Sequence, residues 1–199
     1  MDQHLTPSEP GEQPAASFVG ARHPIVWHTP SGAQPGSLSP ELARLLLDSF
    51  TQAGALVVDV DDDIAFAATA AATGRRHHAV GGHAALPSIG DASGYIDLIL
   101  LHWPRAAGNP LLLLEACRAL LRTTGRLIIA VHVESGQRPA HLAALSGAGR
   151  TAGLRITAHI VAVAPSGIAP GISGDTRTGT APGPHTDLLI FQSEAGHDD

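Results

Sequence analysis

Three consecutive carboxylates, Asp61, Asp62 and Asp63, follow directly on the apolar run Leu56–Val60 (LVVDV). Histidines recur at the ends of other apolar runs: His83 after Val80, His102 after Tyr95–Leu101 (YIDLILL), and His132 within Leu127–Val133 (LIIAVHV), with Glu134 close behind. Carboxylates and imidazoles meeting at one place could hold zinc or another transition metal. Asp61, Asp63, His83, His102 and His132 are the candidate ligands, although no short ligand spacing such as HExxH is present. A structural role stands beside that one. An aspartate at the start of a helix accepts from its free N–H groups and complements its dipole. His77 and His78 read as solvated residues at a strand start.

These residues need a scaffold that brings strand ends together. Leu56–Val60 is β-branched and continuous, the mark of a buried parallel strand. Ile64–Thr73 is Ala-rich with high helical propensity, and Gly74 closes it. A second strand begins near His78, completing a βαβ unit whose ligands sit at the carboxyl ends of its strands. Before it, Pro24–His28 (PIVWH) reads as a short edge strand or a lid. Ser39 and Pro40 open a helix that buries Leu42, Leu45, Leu46 and Phe50. After it, His83–Gly94 is only 12 residues of loop-like composition, where a complete doubly wound domain places another helix and strand. Asn109–Thr123 is a helix broken by Gly125, Leu127–Val133 a strand, Pro139–Ala152 a helix, and Leu154–Val163 and Asp187–Gln192 two closing strands. The prediction is an α/β sandwich with a mostly parallel sheet, an antiparallel hairpin at one edge, and a shortened flank between its second and fourth strands.

The 199 residues suffice for one domain with a sizeable core: a polar tail over 1–20, the domain over 21–193, and an acidic tail over 194–199. All 12 basic residues are Arg, and the net charge is −6. That balance disfavours nucleic-acid binding, which draws on clustered positive charge; Arg75–Arg76 is the one adjacent pair. Cys117 lies in an apolar helical pattern and reads as a buried thiol. No apolar run has the length of a membrane span, and the N-terminus lacks a signal pattern, so a cytoplasmic protein is the expectation.

The order of residues resembles the Rossmann-like class I methyltransferases that use S-adenosylmethionine, nearest to the amino-group DNA methyltransferases and tRNA guanine methylases. Ser49–Asp59 (SFTQAGALVVD) is similar to the family's approach to its first strand. Ile64, Ala70, Ala71, Gly74, Arg75, Val80 and Gly81 fit the helix and second strand of the family's motif, and Ala116–Arg122 with Gly125–Leu127 and His185–Phe191 resemble later elements. The resemblance covers residues 35–193 and implies the fold. It also maps the family's functional positions. The first strand's acid is Asp59; the two glycines of the cofactor loop fall on Asp63 and Ala65, with Asp61 just ahead; the ribose-binding acid falls on Gly82. The catalytic tetrapeptide, (Asp/Asn/Ser)-Pro-Pro-(Tyr/Phe/Trp), appears as His102-Trp103-Pro104-Arg105. An aspartate in place of glycine adds bulk and a negative charge near the cofactor's carboxylate. Two such charges about 4 Å apart cost roughly 1 kcal/mol in water and about 4 kcal/mol at a protein-surface dielectric. The departures imply a protein that has lost methyl transfer and binds, regulates or assembles with a protein partner or a second copy. An active N-methyltransferase with an atypical S-adenosylmethionine pocket, and a metal-dependent activity at the acidic edge, are the alternatives. Trp103 would fill the mouth of the cofactor site.

Overall fold

The computed structural model describes residues 24–29, 37–82, 85, 86, 89, 94–105, 108–133, 136–164 and 185–194. Seven strands and four helices alternate as the apolar runs require: β1 (Ile25–His28), α1 (Pro40–Phe50), β2 (Leu56–Asp59), α2 (Ile64–Ala72), β3 (Arg76–Ala79), β4 (Ile96–Trp103), α3 (Pro110–Leu120), β5 (Leu121–Val131), α4 (Arg138–Thr151), β6 (Leu154–Val163) and β7 (His185–Ser193). They form one sheet in the order β3-β2-β4-β5-β7-β6-β1. All pairings are parallel except those of β7, which runs antiparallel to both β5 and β6. This is the Rossmann-like methyltransferase architecture. β3 leads to β4 and forms the sheet's border among the described residues, so the flank is shortened where the 12-residue spacing predicted it.

The helices form two layers. On one face α1 and α2 set Leu42, Leu46, Phe66 and Ala70 against Val57, Leu98, Leu100 and Ile128. On the other α3 and α4 set Leu114, Cys117, Leu142 and Leu145 against Ile99, Leu101, Ile129 and Phe191. A large apolar side chain buried in this way contributes about 1.5–3 kcal/mol. Cys117 is completely buried and its thiol is pushed up to about 12 by desolvation, so it packs as an apolar residue.

Local signals set the helix starts. Ser39 accepts from Leu42 N–H at 3.2 Å with Pro40 in the first turn, and Asn109 accepts from Leu111 N–H at 3.0 Å ahead of Pro110.

Two expectations are corrected. The hairpin does not end the sheet, because β1 pairs in parallel with the outer side of β6, Ile25 opposite Ile160. And α3 stops at Leu120, with β5 starting at once at Leu121 instead of Leu127. Leu121 pairs with Ile96, a bulge follows, and Arg126 pairs with Leu98. Gly125 sits inside that bulge: a Cβ there would lie 2.7 Å from the Ile96 carbonyl oxygen, so the close approach of the two chain segments needs a glycine. The expected N-terminal tail and residues 195–199 of the acidic tail lie outside the described residues, whereas Glu194 donates its N–H to Gly153 O at 2.9 Å.

Candidate functional site

β2 and β4 end side by side, and the turn after β2 is built from its own carboxylates. Asp59 is fully buried; its two oxygens accept from the N–H of Asp61 at 3.0 Å and of Asp63 at 2.5 Å. Asp62 adopts φ 58°, a left-handed conformation that aspartate tolerates better than most residues. Burial raises the Asp59 pKa, the two N–H bonds and the nearby His77 opposing it. His77 Nε2 lies 3.8 Å from Asp59 and has no hydrogen-bond partner among the described residues.

Asp63 caps α2. Its Oδ1 accepts from Ala65 N–H at 2.9 Å and Phe66 N–H at 3.1 Å, while Oδ2 accepts from Leu38 N–H at 2.6 Å and sits 3.1 Å from His102 Nε2. Ser37 reaches Oδ1 at 3.4 Å. Burial works to raise the Asp63 pKa; the hydrogen bond from His102, the N–H bonds and the His102 charge outweigh it and hold the carboxyl below its ordinary value.

The imidazoles extend this chain of contacts. His102 Nδ1 is 3.1 Å from His132 Nε2, and the rings stack with centroids 5.2 Å apart. An ionised carboxylate only accepts, so His102 Nε2 carries a hydrogen. In the neutral pair His102 Nδ1 therefore accepts from His132 Nε2–H, and His132 Nδ1 keeps its lone pair. His132 is driven down to about 4 by desolvation first and by repulsion from His102 second, against a smaller pull from Asp63. The result is a carboxylate–imidazole–imidazole relay. Asp61 flanks it, accepting from His102 N–H at 2.7 Å and pairing with Arg105 at 2.5 Å.

Asp61, Asp63, His102 and His132 thus come together; His83, with Glu134, lies outside the described residues. Among the described residues no three His, Cys, Asp or Glu side chains are arranged to hold a metal ion. The Asp63 oxygens already accept N–H groups, and the two imidazoles face each other. Gly82, at φ 129°, has open space around its Cα. Ala65 contributes its N–H to Asp63, and Pro104 follows Trp103 through a cis peptide bond.

Successive strand residues face opposite sides, so while His102 turns towards α2, Trp103 packs in the α3–α4 layer and donates Nε1–H to His141 Nδ1 at 3.0 Å. A second cluster, absent from the sequence reading, lies around the start of α4. Asp187, 2% exposed, accepts from His159 Nε2 at 2.7 Å; Arg138 Nε lies 2.8 Å away, off the hydrogen-bonding direction, as an ion pair; and His185 contacts Arg138. The cluster ties α4 to β6 and β7.

No protein-family model matches the chain, and no curated protein sequence does. Solved structures do. A S-adenosylmethionine-dependent methyltransferase from Archaeoglobus fulgidus superposes with TM-score 0.53 at 13% identity, over 78% of this chain and 95% of the other. Precorrin-6y C5,15-methyltransferase from Geobacter metallireducens GS-15 gives 0.55 at 10% identity, over 82% and 93%. Geranyl diphosphate C-methyltransferase from Streptomyces coelicolor A3(2), in complex with Mg2+, geranyl diphosphate and S-adenosyl-L-homocysteine, gives 0.50 at 13%, over 78% and 80%. At these identities the likeness is one of architecture, and it agrees with the strand order: the chain has the class I methyltransferase fold.

Proposed function

We propose that this chain uses the methyltransferase fold as a binding or assembly module and has lost methyl transfer. One observation carries the reading: the position of Asp63. A helix N-terminus after a glycine-rich loop offers free N–H groups to an anion. Here Asp63 takes those of Ala65 and Phe66, and its other oxygen ties down Leu38 and His102. Asp59 occupies the N–H groups of the turn itself. A cofactor carboxylate arriving there finds the donors taken and ionised Asp63 in its path, with Asp61 beside it. The residues present do not fit the amino-acid end of S-adenosylmethionine.

The partner would be another protein or a second copy of this chain. Support comes from the shortened flank ending at β3 and from β1, where Ile25 and Val26 remain 50% and 52% exposed. Light scattering is expected to return more than one chain per particle. Calorimetry with S-adenosylmethionine tests the reading directly. No saturable binding is expected up to about 1 mM, and a micromolar dissociation constant would overturn it. The active-methyltransferase reading is favoured by one feature, the relay that leaves a lone pair on His132 Nδ1, and the same titration separates the two.

A further inference from the structure

The opposite end of the sheet is open. Where β2, β4 and β5 begin, a groove of about 720 Å³ lies between the α1–β2 connection and the side chains of Arg76, Tyr95, Asp97 and Arg122. That volume falls within the roughly 300–1,000 Å³ of small-molecule sites.

Its acids already have partners. Asp97 accepts from Leu56 N–H at 2.8 Å with one oxygen and pairs with Arg122 at 2.5 Å through the other. Asp48 is shared between Arg44 at 3.5 Å and Arg75 at 3.2 Å. At the carbonyl end of α1, Leu47 O accepts from Thr51 and from Arg75, whose guanidinium places a positive charge beside it. Two guanidiniums remain with donors to spare. Arg76 is held by its Nε–H on Gly54 O at 3.2 Å, and its two terminal nitrogens have no partner among the described residues. Arg122 is fixed by Thr124 at 2.7 Å and by Asp97, with one terminal nitrogen left. Tyr95 borders the same groove, 71% exposed.

Anchored guanidiniums with free N–H groups match phosphate oxygens in a planar fork. An exposed aromatic ring beside them offers a stacking face to a base. We propose that this groove binds a nucleotide, its phosphate on Arg76 and Arg122 and its base against Tyr95. Nothing in this assignment depends on what the carboxyl edge does.

The test is a titration of the full chain with adenosine 5′-monophosphate, followed by amide chemical shifts, with inorganic phosphate and adenosine as separate arms. Saturable binding of the nucleotide at about 0.1–1 mM is expected. Arg76→Gln should weaken it about tenfold and Tyr95→Ala about fivefold. Arg155→Gln, which removes an equal charge outside the groove, should leave it unchanged. All three positions are exposed, and spectra of the free variants that match wild type would show that each still folds. Absence of saturation by about 10 mM, equal losses in the Arg76 and Arg155 variants, or phosphate binding as tightly as the nucleotide would overturn the assignment.

Discussion

The two ends of the sheet treat their charges in opposite ways. At the carboxyl edge, the acidic turn after β2 spends its carboxylates on its own backbone: Asp59 and Asp63 between them accept from five N–H groups, of Asp61, Asp63, Leu38, Ala65 and Phe66. At the amino edge, Arg76 and Arg122 are each fixed at Nε and keep terminal donors in an open groove. The lesson concerns where binding capacity survives. In this fold ligands belong at the carboxyl ends of the strands, yet there Asp59 and Asp63 of the turn after β2 already accept backbone N–H groups.

The sharpest way to break this contrast is Asp63→Ala. It removes a helix cap, the tether to Leu38 and the anion facing His102 at one buried position, and it should cost about 3–5 kcal/mol in denaturant unfolding. A loss below about 1 kcal/mol would mean that the turn is not the internally closed unit described.

The relay supplies a second, pH-dependent test. His132 titrates at about 4 in the folded chain against an ordinary value of 6.5, so the unfolded chain binds more protons between those limits. Its contribution is fully present above pH 6.5 and is lost as the pH falls towards 4. Wild type should lose about 1–3 kcal/mol across that window beyond what His132→Gln loses. Asp63, lowered below the ordinary carboxylate range, adds stability that is present above that range and disappears at still lower pH. Parallel curves for the two proteins would sink the assignment of a neutral His132.

The smallest effect falls on one of two neighbouring arginines. Arg75 donates to Leu47 O, Thr51 O, Thr51 Oγ1 and Thr73 O and pairs with Asp48, so Arg75→Ala should cost about 1.5–3 kcal/mol. Arg76→Ala should stay within about 0.5 kcal/mol of wild type. Similar losses at both positions would show that Arg76 is a structural residue, and the groove would lose its free cation.

Much of the scaffold could be read from the chain. The apolar runs gave β2, β4, β5, β6 and β7, Ser39 and the aspartate run gave two helix starts, and the short stretch from His83 to Gly94 gave the thinned flank. Asp63 was legible both as a cap and as an intruder at a glycine position. What escaped depends on geometry that spacing does not encode. Trp103 follows His102 in sequence and so faces the other layer, where its Nε1–H meets His141. The Asp187–His159–Arg138 cluster needs the antiparallel register of β6 and β7, and the amino-edge groove joins segments near residues 50, 76, 95 and 122, remote from one another in sequence.

The pairing of β1 with β6 has a kinetic consequence. Thr29 donates to Val163 O across 134 residues, so this strand closes one of the longest loops in the molecule and gains only a four-residue ladder for it. Long closures are slow to form, and short exposed ladders open at low free energy. β1 should therefore dock last and detach first, its amides exchanging with solvent well before those of β5. Each detachment bares the outer edge of β6, giving the folded molecule a transient sticky strand whose lifetime is set by four backbone pairings.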